Sequence, residues 1–282
     1  MRLRTIIGVD FGQASVTAAS WVARWLLPDS PLALAYGVRL REEDPPGLLP
    51  AAEREALLQR AREEGRNALG PLLLECDPSR TEALVGTGAP ADALLSLVDD
   101  WGAELIVVGP HSQSELLTGF FGSTASRLLL LSRVPVLVVR EADAGAPQRI
   151  LVAIDGREGT DAVLETALEI AAKHDCSVRA FYTVDEELGA EEAPSPTEPR
   201  PEAEHVLEEA LSRVDAPRDG LEIVIGSGSA GEAICRAAAD GINLIVMGTR
   251  GPVPGTSVLE SAARFVVSHA PCPVLVIPSL AA

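Results

Sequence analysis

Arg4–Asp10 reads RTIIGVD, and Arg149–Asp155 reads RILVAID. Both are short apolar runs that open on arginine and close on aspartate. The echo continues in the same order along the chain. AELIVVGP (Ala103–Pro110) is answered by INLIVMGT (Ile242–Thr249), and SRVPVLVV by HAPCPVLVI. A pattern that recurs in order, at the spacing of an ordinary domain, marks a duplicated unit. The 282 residues therefore divide into a first domain over 1–142, a linker at 143–148 and a second domain over 149–282. The linker falls in EADAGAPQ (Glu141–Gln148), which is small, polar and contains both Pro and Gly.

Each copy alternates apolar runs with helix-like segments. In the first, TIIGV leads to SVTAASWVARWL, then LALAYGVRL, a Pro-rich excursion, and the charged AEREALLQRAREEGRNAL. EALVG, PADALLSLVDDWG, ELIVVG, STASRLLLLSR and PVLVV complete the unit. The runs are continuous and rich in Val and Ile, as in strands buried on both faces. Strand–helix alternation requires parallel strands with right-handed crossovers. The expected fold class is α/β: two tandem doubly wound, Rossmann-like domains, each a five-stranded parallel sheet of order 3-2-1-4-5. The fifth strands, VPVLVVR and CPVLVIP, should pair with each other, because each would otherwise leave an open sheet edge. The second copy adds VDEELGAEEAPSPTEPRPEAE, rich in Glu and Pro, which reads as a mobile flap.

GSGSAG (Gly226–Gly231) has the form of a dinucleotide-binding fingerprint. Its partner in the first copy, VGTGAPADALL, keeps Gly86 and Gly88 but has Ala91 in place of the third glycine. The strand that follows, NLIVMG, ends without the expected carboxylate. These glycines therefore read as a strand-to-helix turn. A P-loop is excluded because it needs Gly-Lys-Ser/Thr, and Lys173 is the only lysine.

The formal charge of −18 disfavours nucleic acid and anionic membranes as partners. Cys76, Cys176, Cys235 and Cys272 form no C-x-x-C pair, and the four histidines form no H-E-x-x-H. The cysteines read as small apolar residues of a reducing compartment, and no metal site is expected. Asp10 cuts the first apolar run too short for a signal sequence, so a cytoplasmic protein is expected.

In doubly wound sheets ligands bind beyond the carboxyl ends of the strands, where strand order reverses. Asp10 and Asp155 end the first strands, and Gly109 and Gly248 the fourth. A carboxylate suits a ribose hydroxyl, and a glycine turn leading to a helix N-terminus suits phosphate. Asp10 and Asp155 also stand where helix-capping residues would.

Both copies resemble universal stress proteins over nearly the whole chain. ATP-binding members of that family carry G-x-x-G, nine residues, then G-S or G-T. In the first copy Gly109 matches the first glycine, Ser112 replaces the second, and Gly122-Ser123, followed by Thr124, match the phosphate-binding pair. In the second, Gly248 and Gly251 match the first pair, while Ser261 and Ala262 replace the last. The resemblance implies that Val9 and Val38 line a base pocket and that Asp10 binds the ribose or adenine side. It also implies pairing through the fifth strands, and ATP or a related nucleotide, with Mg, as ligand, in the first copy above all.

The function so implied is that of a non-enzymatic stress-response or regulatory protein, with a protein partner and a homodimer as further expectations. Two other readings stand beside it. One is an interaction scaffold, or a sensor of another small ligand. The other is a weak ATP hydrolase with Asp10 as sole candidate base, unaccompanied by a general acid or nucleophile motif.

Overall fold

In the computed structural model, residues 2–38, 51–110, 122–140, 145–157, 159–184, 201–214, 220–249 and 261–278 are described. The first copy runs β1 (Thr5–Gly8), α1 (Gln13–Trp21), β2 (Leu32–Val38), α2 (Ala51–Glu75), β3 (Thr81–Thr87), α3 (Pro90–Trp101), β4 (Leu105–Val108), α4 (Ser123–Leu131) and β5 (Val136–Val138). The second runs β6 (Arg149–Ile154), α5 (Thr160–His174), β7 (Ser177–Val184), α6 (Pro201–Arg213), β8 (Leu221–Ser227), α7 (Ala230–Ala238), β9 (Leu244–Thr249), α8 (Ser261–His269) and β10 (Val274–Pro278).

The strands form one ten-stranded sheet of order β3-β2-β1-β4-β5-β10-β9-β6-β7-β8. Each half has the expected 3-2-1-4-5 order, and neighbours within a half are parallel. The fifth strands join antiparallel, Val136–Val138 against Val274–Val276. That pairing turns two edges into a continuous ladder.

Side chains of one strand alternate between two buried layers. Ile7, Leu34, Val107, Leu137, Val152, Val246 and Leu275 face α1 and α5. Ile6, Ala35, Ile106, Val136, Leu151, Ile245 and Val276 face α3, α4, α7 and α8. Both layers continue across the seam, which explains why the strands read as unbroken apolar runs.

Three local departures from the expected elements occur. The helix begun by α1 ends in a π-type turn at Val22–Leu26, closed by Leu27 N–H to the Val22 carbonyl at 2.9 Å. Arg80 collects the carbonyls there, from Nη2 to Ala23 O at 2.7 Å and from Nη1 to Ser30 O at 2.9 Å and Leu27 O at 3.2 Å. Second, the stretch read as a flap is helical from Pro201, the first residue of α6. Proline at a helix start loses no bond, since its missing N–H would have had no partner in the helix. The flap's residues 185–200 lie outside the described residues, as do 143 and 144 of the expected linker. Third, α2 continues through Pro71 to Glu75, beyond the charged segment that announced it.

Contacts other than the β5–β10 ladder also tie the halves. Arg140 donates from Nη1 to the carbonyls of Val267 and Ser268 at the C-terminal turn of α8, where a cation is favoured. Trp21 Nε1 donates to Gly145 O at 3.2 Å. His174, at the end of α5, places Nε2 at 2.9 Å from the Leu26 carbonyl of the first half, so that nitrogen carries the proton and donates.

Burial holds the His174 imidazole below its ordinary pKa, with the Lys173 charge acting in the same direction and the Leu26 carbonyl opposing both. The folded state thus binds fewer protons than the unfolded chain just below pH ~6.5. The stabilisation is complete above that pH and is lost as the pH falls through the depressed pKa. Urea titrations at about pH 7 and about pH 5 should therefore show a fall in stability that is smaller in His174→Gln.

Candidate functional site

The carboxyl ends of β1, β2 and β4 converge where strand order reverses. Val9 follows β1, is buried at 5%, and donates its N–H to Ala35 O at 2.8 Å. Asp10 comes next and is exposed. Its Oδ1 accepts from Gly12 N–H at 2.9 Å and from Ser15 Oγ–H at 2.6 Å. The carboxylate thereby closes the turn into α1.

Asp155 repeats the arrangement, with Oδ1 accepting from Arg157 N–H and Thr160 Oγ1–H, both at 3.1 Å. Ser15 and Thr160 were not singled out in the sequence. The signal that would have found them is the hydroxyl residue five positions after each aspartate.

Gly109 follows β4 directly and lies against the start of α1. A methyl there would sit 2.9 Å from Ala14 C and from Ser15 N, and 3.0 Å from Ala14 O. No side chain can yield at that spot, so the glycine permits the backbone approach. The fourth-strand glycine, the α1 N-terminus and Asp10 thus form one contiguous patch.

Gly248 is in a looser setting, its nearest neighbour being a Val163 methyl at 3.2 Å from such a carbon. Just beyond it, buried Thr249 leaves its Oγ1 without a hydrogen-bond partner.

Val38 ends β2 half-buried, and its carbonyl accepts from Gly88 N–H at 3.0 Å. Val184 O and Gly228 N–H make the matching bond at 3.2 Å. Gly228 has φ +95°, the conformation that turns its N–H back onto the neighbouring strand. The GSGSAG stretch is thus a strand-to-helix turn, as its partner in the first half suggested.

On the phosphate side, Gly122 precedes α4 with no side-chain cap, and the first turn of α4 has no acidic residue. Ser123 is exposed and Thr124 half-buried. Arg127 pairs with Asp92 at 2.8 Å and docks α4 on α3. Ser112 and Gly251 lie outside the described residues. In the second half α8 begins at Ser261, where the first half has its glycine.

The halves differ at the residue after the aspartate. Phe11 has φ +61° and a ring 42% exposed, with its centroid 5.0 Å from that of Tyr36. Its counterpart Gly156 has φ +70°, and Val206 of α6 lies so close that an added methyl would come within 2.3 Å of it. Helix α6 sets Val206 beside Gly156 at the place where the first half carries an exposed aromatic residue, while Asp155 itself stays exposed.

Among the described residues no group of three or more His, Cys, Asp or Glu could hold a metal ion. None of their helices is long and apolar enough to cross a membrane. The four cysteines are free, and burial pushes their thiols up to about 11 for Cys76, Cys176 and Cys235 and about 12 for Cys272. These are not the depressed values of reactive thiolates.

Two doubly wound units, joined through their fifth strands and each bearing an aspartate turn beside a fourth-strand glycine, define a tandem α/β protein. The universal stress protein family model matches residues 1–140 and again 147–278, and the chain belongs to that family. It is 35% identical over 134 residues to the universal stress protein in QAH/OAS sulfhydrylase 3'region of Thermus aquaticus, covering 45% of this chain and 96% of the relative. It is 38% identical over 64 residues to universal stress protein G of Shigella flexneri, covering 23% of this chain and 44% of that protein. A universal stress protein crystal structure from Archaeoglobus fulgidus superposes with a TM-score of 0.72 at 17% identity, covering 98% of each chain. That likeness extends the shared fold to the whole tandem arrangement.

Proposed function

We propose that this chain is a non-enzymatic stress-response protein that takes up ATP or a related nucleotide, with Mg, in its first half. The second half serves as its structural partner. The observation that carries this reading is the contact of Gly109 with the Ala14–Ser15 backbone, while Ser15 holds Asp10. It brings a ribose-type anchor beside the start of the loop that leads to the uncapped N-terminus of α4. Val9 and Val38 frame the apolar side of the crevice, and Gly122, Ser123 and Thr124 supply donors toward phosphate. The second site, with Asp155 and Gly248, has Val206 against Gly156 and lacks glycine at Ser261. Among the described residues the hydroxyl beside Asp10 is that of Ser15, which is engaged in closing the α1 turn, so hydrolysis does not belong to the reading, and the free, unactivated thiols suit a cytoplasmic setting.

Calorimetric titration with ATP and Mg²⁺ tests it. The expected result is one site per chain, weakened at least about tenfold by Asp10→Ala, the size of a lost hydrogen bond to a charged group. Asp155→Ala should leave the affinity unchanged. Absence of binding, with no nucleotide co-purifying, would overturn the proposal. It would favour an interaction scaffold instead, a reading supported by the fact that turn closure alone accounts for both aspartates.

A further inference from the structure

Phe11 is an anomaly that the fold does not require. Its backbone is in the left-handed region, φ +61°, where the equivalent residue of the second half is glycine. A bulky side chain seldom occupies that region. It persists where the surroundings impose it, commonly at sites of function. The ring is also not stowed in the core, being 42% exposed. It rests on Tyr36, ring centroids 5.0 Å apart and planes at 54°.

Tyr36 and Val38 are two apart on β2 and so share one face of the sheet. The Phe11 ring thus follows Asp10 in the chain and rests on the residue that shares a strand face with Val38. In the second half the tyrosine and valine are kept as Tyr182 and Val184, but the ring is gone and Val206 covers the spot.

We infer that Phe11, backed by Tyr36, is the platform on which the base of the nucleotide stacks. This would make the first crevice selective for ligands with a planar heteroaromatic base over other phosphate esters. The inference rests on the nucleotide reading of that crevice. Its physics is general: a base offers a π-face, and an exposed ring held rigidly from behind gives it a partner at little conformational cost. The aspartate is kept in both halves and the ring is not, which adds to the differences that set the second half apart.

The test uses the full chain and two probes, ATP with Mg²⁺ and inorganic tripolyphosphate with Mg²⁺. Phe11→Gly adopts the same backbone without strain, so it should unfold within a few degrees of the parent. It should bind ATP at least about fivefold more weakly, the lower end of base–aromatic stacking. Its affinity for tripolyphosphate should not change. Phe11→Trp should retain ATP affinity. Equal ATP binding by the parent and Phe11→Gly would overturn this inference and leave the nucleotide reading standing, as would an equal loss with both probes. Failure of the parent to bind ATP would overturn both.

Discussion

Leu137→Ala is expected to lower the free energy of unfolding by about 2–5 kcal/mol. Leu137 is fully buried in the middle of β5, opposite Leu275 of β10 and beside Val107 of β4. It belongs to the layer that runs unbroken from α1 of the first half to α5 of the second. Truncation removes three carbons' worth of burial and leaves a void that β-sheet backbone on both sides cannot fill. Because the lost contacts lie on the seam, both halves are affected, and the urea midpoint of the whole chain should fall. Leu137→Met, which keeps the volume, should cost less than about 1.5 kcal/mol. A cost below about 1 kcal/mol for the alanine, that of an ordinary substitution, would mean that the fifth strands do not pack as described.

A second large effect is expected at Gly109. An alanine methyl there meets three backbone atoms at 2.9–3.0 Å, so either β4 or the start of α1 must shift. Overpacking of this kind costs about 1–3 kcal/mol. The shift falls on Ala14 and Ser15, and Ser15 holds the Asp10 carboxylate, so the ATP binding proposed for the first half should be lost along with stability.

Gly248→Ala is the internal comparison. Its nearest neighbour is one Val163 methyl at 3.2 Å, which needs to give by only a few tenths of an ångström. Replacing glycine by alanine also narrows the unfolded ensemble, stabilising by about 0.4–1 kcal/mol. The two effects should nearly cancel. Thermal unfolding of the two variants side by side checks the contrast; equal losses would remove the distinction drawn here between the two crevices.

Much of this was legible in the chain itself. The echo of RTIIGVD in RILVAID, and the continuous Val- and Ile-rich runs, gave the duplicated parallel architecture, because burial on both faces leaves a local signature. The pairing of VPVLVVR with CPVLVIP followed from the need to cover an edge. The opposition of Asp10 to Gly109 followed from strand order alone.

What escaped was of another kind. Nothing local announces that Arg80 gathers the carbonyls of Ala23, Leu27 and Ser30, or that Arg140 reaches the end of α8. Both side chains are ordinary arginines in the sequence, and their partners are fixed only by packing. The hydroxyls of Ser15 and Thr160 were hidden for a milder reason. Their spacing from the aspartates fits neither a strand nor a helical face, so no periodicity points to them.

The sequence by itself determined that one α/β unit was copied, and at which end of each sheet its aspartate and glycine would meet. Such features follow from the order of elements and the handedness of their connections. Only the tertiary structure decided how the copies differ at the aspartate turn: Phe11 stands open on Tyr36, whereas Val206 lies against Gly156. That difference depends on how far a helix distant in the chain leans over a turn. It is set by the packing of whole side-chain layers, which no single stretch of residues encodes.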